Sequence, residues 1–345
     1  MVTVHQTEKI PLAIIGLGGM GHNHLRVSLE SNDFEVVAVV DSDLKVLRRL
    51  TNLEPAVTKF RSITDFLDSA IRCDAAIVAA PTSVHFQLTK ELLSAGIHVL
   101  VEKPLASTME QGQQLIEMAK RKRCLLAVGH VERHNPVVSK LGEIIGKGWL
   151  GKPIHFSVTR VGGYPRHINT GTNVLLDLAV HDIDVLRSLL GPLQIVASCC
   201  HRSLNRKLFD TAEILLRNRS GTSASVHVNW ITPTKIRNLR VAGTKGVCFL
   251  DYILQSCVLL GGNLLSPPES LRTDFEGLLD QYQNSDRIEF GVKQEEPLRI
   301  QLYQFARQLR GLNSKLCSGI DGLAAVALAE QALRASSNKK IGMFY

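Results

Sequence analysis

The chain has 345 residues, of which 45% are hydrophobic and 21% charged, and its formal net charge at pH 7 is +8. These proportions are typical of a globular protein, and the length allows two domains with sizeable hydrophobic cores. Lysine and arginine are scattered, and the one dense run, Lys120 to Arg123, falls where a helix is predicted to end, so we expect no nucleic-acid partner. No run of 18 apolar residues occurs and no apolar segment precedes the first predicted strand, so we expect neither a membrane span nor a signal peptide.

The seven cysteines indicate the redox compartment. None stands in a Cys-x-x-Cys pair, and their number is odd. This usage is typical of buried reduced thiols and not of a disulfide framework. We therefore expect a cytoplasmic protein.

The first predicted strand, Leu12–Ile15, runs into the pattern Gly16-x-Gly18-x-x-Gly21. A helix, a second apolar strand and an acidic residue follow in the order of a dinucleotide-binding βαβ unit. Gly16 permits the tight turn, Gly18 lets the backbone approach a pyrophosphate, and Gly21 allows close helix–strand packing, while the helix N-terminus offers N–H groups to phosphates. The loop residues expected to contact the cofactor are Gly16, Gly18, Gly19, Met20 and Gly21.

Asp41 ends the second predicted strand, twenty residues after Gly21. A carboxylate at this position can accept hydrogen bonds from a ribose diol and would repel a 2′-phosphate, which favours NAD over NADP. Ser42, the next residue, is expected in the same part of the cofactor site. The alternative is that Asp41 only caps the following helix.

Short apolar strands alternate with helices over residues 1–130, which predicts a mostly parallel sheet covered on both faces. We interpret this segment as an NAD-binding Rossmann domain of the α/β class. The predicted strands are Leu12–Ile15, Val36–Val40, Val57–Phe60, Ala75–Ala79, Val99–Val101 and Leu125–Val128.

Beyond about residue 150 the apolar period changes to two, as in Thr222–Trp230, and the period-2 segments are joined by glycine-containing turns such as Gly243–Gly246. This pattern predicts an α+β domain with an open, mainly antiparallel sheet, assigned to substrate binding and oligomerisation over residues 131–345. Helical periodicity returns late, and we expect the helices of residues 300–345 to pack back on the first domain.

The predicted strand Thr222–Trp230 has one apolar face and one face that is polar but uncharged. The polar face carries Ser223, Ser225, His227 and Asn229. Exposed sheet faces normally carry charge, whereas small polar residues suit a partly hydrated interface. We therefore expect a homodimer or homotetramer with two-fold symmetry, built sheet face to sheet face.

Two segments follow the fourth and fifth strands, at the carboxyl edge where open α/β sheets bind ligands. One is Ala80–His85 and the other Glu102–Pro104. A desolvated Lys103 would suit proton transfer or the polarisation of a substrate oxygen, although an ordinary lysine snorkelling from a strand end is an alternative. The expected cofactor contacts here are Pro81, Thr82, His85, Glu102 and Lys103.

A nearly all-apolar helix is predicted over Asn173–Leu190, and Asp177 and His181 share one of its faces. Polar groups on such a helix need partners, because burying them unpaired is costly. Either Asp177 orients His181 as a general base, or both side chains satisfy neighbouring backbone groups. No zinc site is expected, since the cysteines do not converge in sequence with these residues and no His-Glu-x-x-His motif occurs.

Taken in order, the glycine motif, Ala80-Pro-Thr, Glu102-Lys-Pro and Asp177-x-x-x-His181 resemble the Gfo/Idh/MocA oxidoreductases over nearly the whole chain. In that family the lysine and the helix histidine lie near the reacting carbinol and the nicotinamide, with the aspartate beside them. The resemblance therefore implies an enzyme with catalytic residues Lys103, Asp177 and His181 and with NAD as cofactor.

A narrower resemblance covers Val128–Pro136, which is similar to Gly-His-Val-Glu-Arg-Phe-Asn-Pro in the UDP-N-acetylglucosamine 3-dehydrogenase branch, with His134 in place of Phe. It implies oxidation of the C3 hydroxyl of a UDP-N-acetyl-amino sugar. Arg133 and Arg166 are then candidates for a substrate diphosphate, because guanidinium binds phosphate oxygens in a fork, although each alone also suits a surface ion pair. The implied substrate contacts are Lys103, Arg133, Asn135, Arg166, Asn173, Asp177 and His181.

Two other functions stay open. An inositol or free-sugar dehydrogenase of the same family would need no diphosphate clamp. A non-catalytic NAD- or sugar-sensing regulator would need no proton-transfer residues.

Overall fold

The computed structural model describes residues 8–51, 57–163, 173–204, 207–261 and 286–337. The chain divides into two compact units. The first comprises residues 1–134 and 296–326, and the second residues 135–295 and 327–345. Each unit is built around one β-sheet.

The first unit contains a seven-stranded sheet in which six strands are parallel and the short edge strand β15 is antiparallel. The strand order is β15-β6-β5-β4-β1-β2-β3, so the predicted Rossmann architecture is confirmed. The strands are β1 (Ile10–Ile15), β2 (Phe34–Val40), β3 (Thr58–Phe60), β4 (Ala75–Val78), β5 (His98–Glu102), β6 (Leu126–Gly129) and β15 (Cys317–Ser318).

Helices cover both faces of this sheet, because neighbouring strand residues point to opposite sides. Ala13 and Ile15 contribute to one core, which α4 and α5 cover, whereas Leu12 and Ile14 contribute to the other, where Phe305 of α8 packs. The unit contains α1 (Gly19–Leu29), α2 (Leu44–Arg49), α3 (Ile63–Leu67), α4 (Thr82–Ser94), α5 (Met109–Lys122), a 3₁₀ turn (Val131–His134) and α8 (Pro297–Leu309).

The second unit contains an eight-stranded sheet of order β14-β13-β12-β11-β7-β10-β9-β8. Only the pair β7–β10 is parallel, so the predicted mainly antiparallel sheet is confirmed. The strands are β7 (Pro153–Val161), β8 (Leu193–His201), β9 (Thr211–Asn218), β10 (Ser223–Asn229), β11 (Ile236–Gly243), β12 (Gly246–Asp251), β13 (Ser256–Gly261) and β14 (Asp286–Phe290).

The helical elements of the second unit precede and follow its strands. They are α6 (Pro136–Gly146), a π-helix (Leu175–Ala179) and α7 (Val180–Leu190), while α9 (Gly319–Ser337) begins in the first unit and ends in the second. The predicted single helix after Asn173 therefore starts as a π-helix before it becomes α-helical.

The two faces of β10 divide as the alternation predicts, with one exception. Ala224, Val226 and Val228 are fully buried, and Ser223 on the other face is partly exposed. Asn229, predicted on the open face, is instead buried, and its Oδ1 accepts the Thr232 N–H where the chain leaves the strand.

All seven cysteines are free thiols, but only Cys248, Cys257 and Cys317 are buried as expected, and Cys199 is exposed. Across the part of the chain that the structure describes, no helix combines the length and the apolar character needed to cross a membrane.

Candidate active site

The glycine motif forms the turn between β1 and α1, and two of its glycines are required by packing. Gly16 has φ +89°, and a Cβ there would lie 2.7 Å from the backbone of Ala80. A Cβ on Gly21 would lie 1.9 Å from the carbonyl oxygen of Gly16. Around Gly18 and Gly19 a Cβ would meet nothing within 4 Å, so the start of α1 is open on the side where a phosphate could approach.

Asp41 is tied to this turn through its carboxylate. Oδ2 accepts the Leu17 N–H at 2.7 Å, and Oδ1 accepts the Asp43 N–H at 2.8 Å. The N-cap of α2 is Asp43, which accepts the Lys45 N–H, so Asp41 does not cap that helix. Each Asp41 oxygen retains a second lone pair for a diol hydroxyl.

His85 lies beneath the strand-end segments and is 1% exposed. Its Nδ1 lies 2.8 Å from the Pro104 carbonyl oxygen and its Nε2 lies 2.8 Å from that of Ala80. The ring thus joins the segment after β4 to the segment after β5, and a direct contact with a cofactor stays a prediction. Of the other predicted contacts, Thr82 is half-buried, and Met20, Ser42 and Pro81 are exposed.

Glu102 ends β5, and Lys103 follows it. The Glu102 side chain is buried, its Oε1 lies 2.7 Å from His24 Nε2, and its Oε2 accepts the Lys103 N–H at 3.2 Å. Burial raises the pKa of Glu102, but the hydrogen bond from His24 and the charge of Lys103 outweigh it, so the net shift of the pKa is downward. Lys103 is half-buried, and its peptide bond to Pro104 is cis.

The second unit contains the predicted aspartate–histidine pair, and both side chains are half-buried. Asp177 lies in the π-helix, an irregularity that is frequent at functional sites, and His181 lies in the first turn of α7. The Asp177 Oδ2 accepts the indole N–H of Trp230 at 3.0 Å. Asn173 accepts the N–H groups of the next turn at 3.0 and 3.1 Å, so its amide oxygen orders the start of the π-helix.

A buried ion pair anchors α7 next to His181. Asp182 receives two hydrogen bonds from Arg160 of β7, at 2.6 and 2.9 Å, and the two side chains are 1% and 5% exposed. The Arg160 guanidinium also lies over the Tyr252 ring at 5.5 Å. Removing one partner would leave a buried charge, so the pair constrains how α7 can lie on its own sheet.

Two predicted substrate residues contact groups of the protein itself. The Arg133 Nη1 lies 3.3 Å from the Leu316 carbonyl oxygen and 3.5 Å from Asp321 Oδ2, and both partners belong to the first unit. Asn135 is the N-cap of α6 and also donates to the Tyr252 carbonyl oxygen. Their contacts with a substrate stay predictions, and Arg166 lies outside the described residues.

Comparison with known protein families identifies the family of this chain. Residues 10–130 match the oxidoreductase family with an NAD-binding Rossmann fold, and residues 138–248 match the GFO/IDH/MocA C-terminal domain. The chain belongs to the Gfo/Idh/MocA family. Its first unit therefore contains an NAD-binding Rossmann domain, and the expected cofactor is confirmed.

Individual relatives differ in substrate. The chain is 26% identical to the UDP-N-acetylglucosamine 3-dehydrogenase of Acidithiobacillus ferrooxidans over 243 residues, 70% of this chain and 73% of the relative. It is also 26% identical to a scyllo-inositol 2-dehydrogenase of Bacillus subtilis over 257 residues, 71% of this chain and 75% of the relative. A crystal structure of the Acidithiobacillus enzyme has the same fold, with a TM-score of 0.78 and 21% identity over 95% of this chain and 98% of that one.

Sequence reasoning about this Gfo/Idh/MocA protein missed two residues that contact carboxylates of the site. His24 and Trp230 are distant in sequence from the carboxylates that they contact, 78 and 53 residues away. A signal was present, since a buried indole N–H requires an acceptor and a histidine three residues after Gly21 lies on the buried side of α1. That signal does not identify the acceptor.

Trp230→Phe removes the donor to Asp177 and keeps an aromatic ring in the core. Because a charge-assisted hydrogen bond is lost, we expect the free energy of unfolding to fall by about 1.5–3 kcal/mol, measured by urea denaturation. Trp149→Phe, at a side chain 40% exposed, is the control and should change it by less than about 0.5 kcal/mol. If Trp230→Phe costs the same in an Asp177→Ala background, the bond contributes nothing and the prediction is wrong.

Proposed function

We propose that this oxidoreductase oxidises a sugar hydroxyl to a ketone with NAD, and that its substrate is a UDP-N-acetyl-amino sugar such as UDP-N-acetylglucosamine, oxidised at C3. The observation that carries the proposal is Lys103, half-buried at the carboxyl end of a central strand in the sheet that bears the glycine loop. The substrate class is supported by the similarity to a UDP-N-acetylglucosamine 3-dehydrogenase. The free cysteines support a cytoplasmic setting.

The residues of the first unit fit the cofactor. The open backbone at Gly18 and Gly19 would hold the pyrophosphate, and the spare lone pairs of Asp41 would accept from the ribose diol. The segment from Pro81 to His85 and the pair Glu102–Lys103 would line the nicotinamide end. NAD held by these residues would supply the acceptor for the hydride that leaves the substrate carbon.

The residues of the protein must then accept the proton that leaves the substrate hydroxyl. We assign His181, with Asp177 on the preceding turn, as the base that takes the proton of the substrate hydroxyl. Lys103 donates a hydrogen bond to the oxygen as negative charge develops there. In the reverse assignment Lys103 accepts the proton and His181 donates the hydrogen bond, and both assignments require the same two side chains.

Lys103→Ala and His181→Ala should each lower kcat with UDP-N-acetylglucosamine by about 10²–10⁴-fold, because each removes a proton-transfer partner. Absorbance of the reduced nicotinamide measures turnover, and circular dichroism and NAD titration verify that fold and cofactor binding survive. Lys90→Ala, at an exposed lysine of α4, is the matched control with unchanged kcat. Near-normal turnover in both active-site variants would refute this site.

A second candidate is a dehydrogenase of inositol or free sugars. The partners of Arg133 within its own unit favour it, since this guanidinium already has a carboxylate and a carbonyl oxygen to bind. The similarity to a scyllo-inositol 2-dehydrogenase points the same way. Comparing kcat/KM for UDP-N-acetylglucosamine, N-acetylglucosamine and scyllo-inositol separates the candidates.

Asp41→Ala should narrow the preference for NAD over NADP, since it removes the carboxylate that accepts from the ribose diol and repels a 2′-phosphate. The ratio of the two dissociation constants, measured by calorimetric titration, should move toward one. Asp43→Ala is the matched control: it removes the N-cap of α2, costs about 0.5–2 kcal/mol of stability, and should leave the ratio unchanged. Equal binding of both cofactors by the unaltered protein would contradict the assignment.

We also propose that the chain forms a two-fold symmetric homodimer or homotetramer through the open face of the second unit's sheet. This face carries Ser223, Ser225 and His227 of β10, and exposed apolar side chains at Leu215 and Phe249. Large apolar groups on a sheet face favour burial against a partner.

Light scattering at micromolar concentration should therefore give a mass of two or four chains, each of 38.0 kDa. Leu215→Lys should lower that mass toward one chain, because it places a charge in the interface, whereas the exposed substitution Leu312→Lys on the first unit should not. A single-chain mass for the unaltered protein would refute the proposal.

A further inference from the structure

His24 and Glu102 form a buried pair immediately behind Lys103. The His24 side chain is fully buried on α1, three residues after the last glycine of the loop, and Glu102 is 8% exposed at the end of β5. Their Nε2 and Oε1 atoms are 2.7 Å apart. The other carboxylate oxygen accepts the Lys103 N–H, so a single carboxylate links α1 to the backbone of the proposed catalytic lysine.

The pair has one defined hydrogen-bond direction. His24 Nδ1 is buried without a hydrogen-bond partner among the residues that the structure describes, so a proton there would have no acceptor. The proton that joins the pair is therefore on Nε2, which donates to Glu102. Such a bond requires an acceptor oxygen, and an ionised carboxylate is the strongest one.

The surroundings of Glu102 leave its carboxylate little freedom. Gly129 stands opposite it on β6, and a Cβ there would lie 3.0 Å from the carboxyl carbon. On the other side β4 ends in Val78, and an alanine follows it, so no titratable group stands there. Among the described residues, the titratable groups that act on Glu102 are His24 and Lys103, and His130 comes directly after β6.

We propose that His24 is a positioning residue, which holds Glu102 ionised and oriented so that Glu102 fixes the backbone at Lys103. The inference rests on the proposed function, since it assigns Lys103 a catalytic role. His24 itself touches no reacting atom in this scheme. It links the cofactor-binding helix to the lysine through one carboxylate.

The charge state of Glu102 makes the proposal testable without a substrate. Burial works against ionisation, and the hydrogen bond from His24 is the first of the opposing contributions that keep the Glu102 pKa below its usual range. In wild type, Glu102 therefore stabilises the fold above its unfolded-state pKa, and this contribution is lost on acidification. Without His24, burial is opposed only by the charge and the N–H of Lys103, so the Glu102 pKa rises and the stabilisation that the ionised carboxylate contributes becomes smaller.

The decisive experiment is a double-mutant cycle of unfolding stability against pH, with wild type, His24→Phe, Glu102→Gln and the double variant. The ratio of the folding constants of wild type and His24→Phe should grow from about pH 4 to pH 8, by up to about tenfold per pH unit. In the Glu102→Gln background the same ratio should grow less with pH, because the carboxylate contribution is absent. A ratio with the same pH dependence in both backgrounds overturns the proposal.

Two further variants guard against a His24→Phe protein that does not fold. Gly129→Ala keeps His24 but forces the carboxylate to shift, and it should show the same pH signature. His24→Gln presents an amide donor in place of the imidazole Nε2–H, and it should restore the wild-type profile. Failure of His24→Gln to move the profile toward wild type, together with a flat profile for Gly129→Ala, overturns the proposal.

Turnover provides the second readout. His24→Phe should lower kcat most at acidic pH and recover as Glu102 ionises, with the KM for NAD changed less than kcat, and His24→Gln should rescue kcat. A uniform loss at every pH indicates a merely structural role and counts against the proposal. Absence of turnover in wild type refutes the proposed function, while the stability cycle still decides whether His24 holds Glu102 ionised.

Discussion

The close approach of the glycine loop to the ends of β1 and β4 is the constraint on which the first unit depends. A Cβ on Gly21 would overlap the carbonyl oxygen of Gly16, and a Cβ on Gly16 would overlap the backbone of Ala80. Because Gly16 and Gly21 carry no side chain, α1 can begin directly against the sheet, and the space around Gly18 and Gly19 stays open. That placement brings the Leu17 N–H within reach of Asp41, and carries His24 to Glu102.

Side chains of the candidate site are held by partners that are distant in sequence. Asp41 is held by a backbone N–H of the glycine loop, Glu102 by His24, and Asp177 by Trp230. Each of these bonds satisfies a carboxylate that would be costly to leave without a donor in a partly buried position. The same bonds limit the rotamers of these side chains. A reacting group needs this restriction in order to meet its substrate in one geometry.

In the second unit, a buried ion pair holds the helix that carries the candidate base. Apart from Asn229, the side chains of β10 alternate, so its apolar side chains are buried on one face of the sheet and its serines lie on the other. The buried pair Arg160–Asp182 then ties α7 to that sheet at the residue after His181. Because breaking such a pair strands a charge in the core, the helix with the candidate base has few alternative positions.

The sequence by itself determined the fold class and the candidate residues, because period, glycine spacing and strand-end position are local properties. The six predicted strands of the first unit, the hairpin at Gly243–Gly246 and the apolar face of β10 all follow from such patterns. Only the tertiary structure decided which donor each carboxylate receives, that Asp41 faces the glycine loop, and that Asn229 is buried. Those contacts join residues far apart along the chain, and no local pattern encodes a partner that chain folding alone brings within hydrogen-bonding distance.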